Sequence, residues 1–279
     1  MRYTEKLRNS IQKSGSALCV GLDPNLDLIP GPIQQQFENP VDQVTNFCKQ
    51  VIDATQSYCA AYKPNVAFFE ALGSQAYVVL NEVLNHIPDD KIVIIDAKRG
   101  DIHSTAEHYK KAFFDQFDAD AITINPLMGF ETLSPFLKDP SRAAYVLTLT
   151  SNDGADDFLK RPFTKYEMMS QYIANRLNRL TTQNSTHLGM VIGATQPKDI
   201  TDVVRYHPQG ALLIPGIGAQ GGSVSKVADA LQDHKGIPLI SSSRSIIYAG
   251  GNTENWTDKV ARKAKQMKSD LEPLTERYV

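Results

Sequence analysis

Residues 91–105, KIVIIDAKRGDIHST, run four consecutive apolar side chains straight into a spaced set of charges. Ile92-Val93-Ile94-Ile95 has the continuous apolar character of a short strand buried on both faces, as in a parallel sheet. The charges then fall at its C-terminal end, where Asp96, Lys98 and Asp101 form Asp-x-Lys-x-x-Asp, two carboxylates around one ammonium. If strand geometry continues through Lys98, its side chain lies on the same side as that of Asp96, because strand side chains alternate with a period of two. Asp101 is under no such constraint. A charged run in isolation reads as a solvated loop. At the carboxyl end of a parallel strand the same charges read as chemistry, since that is where α/β proteins place their sites.

Upstream, Ala17-Leu18-Cys19-Val20 and Ala60-Ala61-Tyr62-Lys63 are two further apolar runs. Between them Val41, Val44, Phe47, Val51 and Ile52 recur at helical spacing behind Asn39-Pro40, an N-cap followed by proline. The first run ends in Gly21-Leu22-Asp23-Pro24, so Asp23 follows a strand, although a residue before proline is also ordinary turn chemistry. The second ends on Lys63, and a lysine turned inward at a strand end is costly unless it is paired or holds an anion. Tyr77, Leu80, Val83 and Leu84 then mark a helix that Ile87-Pro88 closes. Thr4 to Lys13, with Gly15 as C-cap, predicts a short N-terminal helix.

Downstream, Ser104-Thr105-Ala106-Glu107 has the form of a capping box and predicts a helix to about Phe117. That places Asp101 just before the helix and Thr105 at its start. Ala121–Asn125 and Tyr145–Thr150 are the fourth and fifth strands, and the fifth opens into the polar turn Ser151-Asn152-Asp153-Gly154. After an irregular insertion from Asp156 to Phe163, residues Tyr166, Met169, Tyr172, Ile173, Leu177 and Leu180 mark a long helix with plain core spacing. Leu188–Gly193, Ala211–Ile214 and Pro238–Ser243 are the remaining strands, with helices over Pro197–His207 and through Trp256, Val260, Ala264 and Met267. The seventh strand runs into Pro215–Gly222, where four glycines in seven residues allow close backbone approach to an anion. The eighth ends at Arg244, whose guanidinium suits phosphate.

Eight apolar strands separated by amphipathic segments predict one (β/α)8 barrel over residues 1–279, with the N-terminal helix capping an end. Asp23, Lys63, Asp96, Lys98, Ser151, Gln220 and Arg244 all follow strands, and so share one end of that barrel. The phosphate signals sit after strands seven and eight, where barrels commonly bind phosphate. With 29 Lys plus Arg against 31 Asp plus Glu, the net charge of −2 supplies no general attraction to nucleic acid or an anionic membrane. No charged-then-apolar leader opens the chain and no apolar run approaches the roughly 18 residues of a membrane span, so a cytoplasmic protein is predicted. Cys19, Cys48 and Cys59 lack Cys-x-x-Cys spacing and read as packing residues, not as a disulfide or zinc framework. No His/Asp/Glu cluster with ligand spacing accompanies the triad, so no metal is predicted.

These motifs resemble the orotidine 5′-phosphate decarboxylase family, in its longer bacterial form. The resemblance covers nearly the whole chain: GLDP at Gly21, YKPNVAFFE at Tyr62, IDAKRGDI at Ile95, LTSNDGA at Leu149, PGIGAQGG at Pro215 and SSSRSIIYA at Ser241. It implies cofactor-free decarboxylation of orotidine 5′-monophosphate to uridine 5′-monophosphate. It further implies that Asp96 faces the departing carboxylate and that Lys98 protonates C6. Asp23 and Lys63 would hold the ribose hydroxyls and the charge network, Ser151 the pyrimidine, and Gln220 and Arg244 the 5′-phosphate. Asp101 and Thr105 would reach the site of a second copy in a homodimer. Two positions depart from the family pattern, His103 and Ser245, each where glycine is usual. Two rival readings stand beside this one: a Mg²⁺-dependent sugar-phosphate decarboxylase or hexulose-phosphate synthase of the same suprafamily, and a catalytically silent nucleotide-binding barrel.

Overall fold

In the computed structural model, which describes residues 1–181, 186–194, 197–217 and 223–278, the apolar runs pair edge to edge in chain order. β1 (Leu18–Leu22), β2 (Ala61–Pro64), β3 (Ile92–Arg99), β4 (Ala121–Ile124), β5 (Ala143–Leu149), β6 (His187–Ile192), β7 (Leu212–Pro215) and β8 (Pro238–Ser242) form a closed barrel. Every pairing is parallel, and β8 returns to β1. This is the (β/α)8 architecture that the spacing of apolar runs predicts.

Helices fill the connections. α1 (Tyr3–Ser14) precedes β1; α2 (Gly31–Gln36) and α3 (Pro40–Thr55) follow it; α4 (Val66–Glu70) and α5 (Ala76–Leu84) follow β2. α6 (His103–Lys110) follows β3, whereas β4 and β5 are joined through a 3-10 segment, Phe130–Leu137. Then come α7 (Met169–Thr181), α8 (Pro197–Val204), α9 (Val224–Ala230), the single turn α10 (Arg244–Ile247) and α11 (Trp256–Thr275).

The strand alternation divides the core in two. Leu18, Val20 and Leu22 of β1 pack outward with helix residues such as Phe47 and Val51, while Cys19 joins Ala61, Ile92, Ile94, Tyr145 and Leu213 inside the barrel. The leucine, isoleucine, valine and phenylalanine side chains among these each contribute on the order of 1.5–3 kcal/mol by leaving water. Tyr145 fills the centre because Gly189 on the neighbouring strand leaves room: a Cβ there would lie 2.7 Å from the ring. Its hydroxyl meets that of Tyr3 at 2.8 Å, so neither buried phenol lacks a partner. Tyr3, Leu7 and Ile11 bring α1 across the end where the strands begin, fastened by Ser10 Oγ donating to the Ala60 carbonyl and by Lys6 Nζ to Asp120 at 2.6 Å. α1 is thus the predicted cap, closed by Gly15 with φ 61°. The chemistry is left to the opposite end. All three cysteines are free and buried; burial pushes the Cys19 thiol up to about 12 and the Cys59 thiol up to about 11, which keeps them inert.

Some sequence expectations shift. α6 begins at His103 with Ile102 as N-cap and no side-chain cap, so the Ser104–Glu107 capping box is not formed. Ser104 is already helical and its carbonyl accepts from His108 Nδ1. The helix then widens into a π-turn, Lys111–Gln116. Tyr77 is half-exposed, because the buried stripe of α5 runs through Ala76, Val79, Leu80 and Val83, one residue out of phase with it. Tyr166 precedes α7 and is exposed, in a turn closed where Phe163 N–H donates to the Glu167 carbonyl. α8 stops at Val204, three residues short of His207, and the chain leaves it through tighter turns in which the Tyr206 and His207 N–H groups donate to the Val203 and Val204 carbonyls.

Candidate active site

β3 does not stay regular to its end. Ile94 and Ile95 pair with Ala121 and Ile122, but the next pairing is Arg99 with Ile124, so Asp96, Ala97 and Lys98 together face Thr123 alone. The extra residues are absorbed by a bulge, and Lys98 takes a left-handed backbone with φ 49°. For a residue with a side chain that conformation costs about 1–2 kcal/mol. Lys98 does meet Asp96, as the sequence predicts, but through this bulge and not through continued strand alternation.

The charge centre also differs from two carboxylates around an ammonium. Asp96 lies between two lysines: Lys63 Nζ donates to Oδ2 at 2.7 Å and Lys98 Nζ to Oδ1 at 2.5 Å. Thr123 Oγ1 donates to the same Oδ1 at 2.9 Å. Among the described residues no ion pair joins Lys98 to Asp101, whose Oδ1 accepts instead from the Ile102 N–H at 2.7 Å. Lys63 and Asp96 side chains are only 8% and 10% exposed, whereas that of Lys98 is 49% exposed and reaches into open space. Burial alone would raise the Asp96 carboxyl, but the two ammonium groups outweigh it and hold the acid well below the usual carboxylate range. Burial alone would likewise lower Lys63, and Asp96 and Asp23 outweigh it, holding the ammonium well above the ordinary lysine range.

Above this centre is a cavity of about 300 Å³. Asp23, Lys63, Asp96, Lys98, Ser151 and Arg244 all line it, drawn from the ends of strands one, two, three, five and eight. Asp23 Oδ1 and Ser243 Oγ are buried there without a hydrogen-bond partner among the described residues, so both are free for ligand hydroxyls. Arg244 opens α10 on the exposed rim, with no carboxylate at ion-pair distance among the described residues. Gln220 lies outside the described residues; Pro215, Gly216 and Ile217, which lead to it, line the cavity. Asp101 and Thr105 do not line it.

Both departures from the glycine pattern acquire a physical reading. His103 has φ 42°, a conformation that glycine adopts freely and histidine does not. Ser245 uses its hydroxyl to meet Ser242 Oγ at 2.6 Å, tying α10 to the end of β8. Thr123, Thr150 and Ser243 line the cavity without having been singled out from the sequence. Only their parity on or just after strands signals it, and threonine is too common in strands for that to stand alone.

The molecule is therefore a (β/α)8 barrel whose C-terminal face carries an ionised carboxylate between two ammonium groups, with unpaired polar atoms and a cation around one cavity. It belongs to the family described as Orotidine 5′-phosphate decarboxylase / HUMPS family, which its sequence matches over residues 16–258. The orotidine 5′-phosphate decarboxylase of Christiangramia forsetii is 39% identical over 279 residues, covering 97% of this chain and 99% of the relative. That of Dehalococcoides mccartyi is 33% identical over 282 residues, covering all of both chains. Among solved structures, the Leishmania donovani OMP decarboxylase superimposes with a TM-score of 0.79 at 31% identity, covering 96% of this chain and 100% of that one.

Proposed function

We propose that this chain decarboxylates orotidine 5′-monophosphate to uridine 5′-monophosphate and CO2, the closing step of pyrimidine nucleotide synthesis, without a cofactor. The observation that carries the reading is the Lys63–Asp96–Lys98 array beneath a cavity that also holds Asp23 and Arg244. The C6–carboxyl bond breaks with its electron pair left on C6, CO2 departs, and a proton from the Lys98 ammonium takes that pair. An ammonium has three N–H donors and Lys98 spends one on Asp96, which leaves others to face the substrate. Asp96, held ionised by two ammonium groups, cannot escape repulsion from the substrate carboxylate by taking up a proton. Charges fixed before the substrate arrives cost no reorganisation during reaction. The barrier reduction demanded is roughly 20 kcal/mol, so phosphate contacts remote from C6 must supply binding energy as well.

In this reading Asp23 and Lys63 hold the ribose side, Ser151 the pyrimidine, and Arg244 with Gln220 the 5′-phosphate. The working unit is a homodimer in the cytoplasm, residues 1–279 acting as one barrel, with Asp101 and Thr105 serving the partner's site. Their position outside the cavity of their own chain supports this. This reading calls for neither nucleic acid nor membrane as a partner. Separately, no helix among the described residues is long and apolar enough to cross a membrane.

The test is the loss of orotidylate absorbance with purified enzyme, with and without EDTA. Turnover that survives exhaustive chelation supports the proposal. Turnover abolished by chelation and restored by Mg²⁺ would favour the metal-dependent sugar-phosphate branch.

A further inference from the structure

The β3 bulge leaves a backbone group without its ladder partner. With Asp96, Ala97 and Lys98 facing a single residue of β4, the Lys98 N–H has no carbonyl opposite it. An unpaired N–H beside the buried end of a barrel is costly. The hydroxyl of Thr123 takes it up: Lys98 N–H donates to Thr123 Oγ1 at 3.0 Å, and the same hydroxyl donates its own proton to Asp96 Oδ1 at 2.9 Å. Thr123 is 1% exposed, so water is a poor substitute there. One hydroxyl therefore holds the first and the last residue of the bulge.

We propose that Thr123 is a positioning residue, whose hydroxyl keys the Asp96–Lys98 bulge and thereby sets where the Lys98 ammonium stands. The inference rests on the reading of Lys98 as the group that serves the reacting carbon, and deepens it. The left-handed backbone of Lys98 is unfavourable by itself and persists only where surrounding contacts impose it. Two contacts do so, its N–H on Thr123 and its Nζ on Asp96, and both converge on Asp96 Oδ1. Remove the hydroxyl and the backbone is free to relax toward regular strand geometry. The ammonium then moves relative to the cavity, while the walls that grip the remainder of a nucleotide stay in place.

Thr123→Val keeps the shape and removes both hydrogen bonds, Thr123→Ser keeps both and removes a methyl, and Thr123→Ala stands in if the valine variant does not fold. In orotidylate turnover the hydroxyl-free variant should lose roughly tenfold to hundredfold in kcat, as for a hydrogen bond to a charged group, with uridylate Kd changed less than about twofold. Thr123→Ser should regain most of the loss. Equal falls in kcat and uridylate affinity, unrescued by serine, would mean that Thr123 only supports the fold. A crystal structure of the valine or alanine variant decides independently of activity: an unchanged bulge with Lys98 Nζ still on Asp96 overturns the proposal. If the wild-type chain turns over no orotidylate, the functional reading fails, and the crystal structure still judges the role of Thr123 in the bulge.

Discussion

Lys98 combines a left-handed backbone, an ion pair with a buried carboxylate and a side chain half open to the cavity. Arg244 is its counterpart at the rim, a cation without an acidic partner among the described residues. If the two divide chemistry from binding, their substitutions separate cleanly. Lys98→Ala should abolish the single-turnover rate while uridylate still binds, because the proton and charge are needed at C6 and not at the phosphate. Arg244→Ala should weaken uridylate binding by about 2–4 kcal/mol, the loss expected for a charge-assisted contact in a partly desolvated site. Measuring melting temperature, uridylate affinity and single-turnover rate for both variants checks this. Folded variants with the same defect in every quantity would show that both residues merely maintain the charge cluster.

At the scale of elements, the β1 loop and the turn after β8 are fastened by one phenol. Tyr248, just past α10, donates its hydroxyl proton to the Asp23 carbonyl at 2.8 Å and accepts the Asn25 N–H at 2.6 Å, while its ring stacks on Phe47. The residue that follows β1 into the cavity is thus tied to the helical turn that carries Arg244. Tyr248→Phe should keep the stacking, lose both hydrogen bonds and lower stability by about 1–3 kcal/mol. Uridylate affinity should fall with it, as Asp23 is no longer held; an affinity equal to wild type would show that the loop is fixed by other contacts. The barrel and most of the lining of its candidate site were legible in the sequence because strands buried on both faces are continuous apolar runs, and because Asp23, Lys63, Asp96, Lys98, Ser151 and Arg244, which line the cavity, stand where such runs end. The bulge was not legible: nothing in Asp-Ala-Lys announces a positive φ, and a threonine in Ala-Ile-Thr-Ile looks like any strand former. The Ser104–Glu107 pattern misled for a related reason. A capping box is a statement about which residue is still extended, and here the chain turns helical two residues earlier, after Ile102.

Across the whole molecule, the two ends of the barrel answer to different chemistry. At the catalytic end, a shared site in a homodimer predicts complementation: Lys98→Ala chains mixed with Asp101→Ala chains should recover activity, since some heterodimer sites are intact. No recovery under proven subunit exchange would sink the shared site. At the opposite end, His207 and His234 lie buried and His187 half-buried around the starts of β6 and β7. His187 Nε2 accepts the Ala211 N–H, His207 Nε2 meets the Leu188 carbonyl, and His234 Nε2 meets the Gly210 carbonyl. Burial, reinforced by His207 as a neighbour, holds His187 and His234 down to about 4, and burial lowers His207 as well. A histidine depressed in the folded state contributes full stability above its unfolded value, about 6.5, and loses it as pH falls toward the folded value. The unfolded chain takes up protons in that window and the native chain does not. Between pH 7.5 and pH 5 the loss should reach about 3 kcal/mol or more, at roughly 1.4 kcal/mol per histidine per pH unit below 6.5. His187→Gln, which keeps an acceptor for the Ala211 N–H but cannot ionise, should flatten the dependence. Chemical denaturation across that range reads it directly, and a wild-type stability that stays level from pH 7.5 to pH 5 would refute the assignment of acid sensitivity to these three rings.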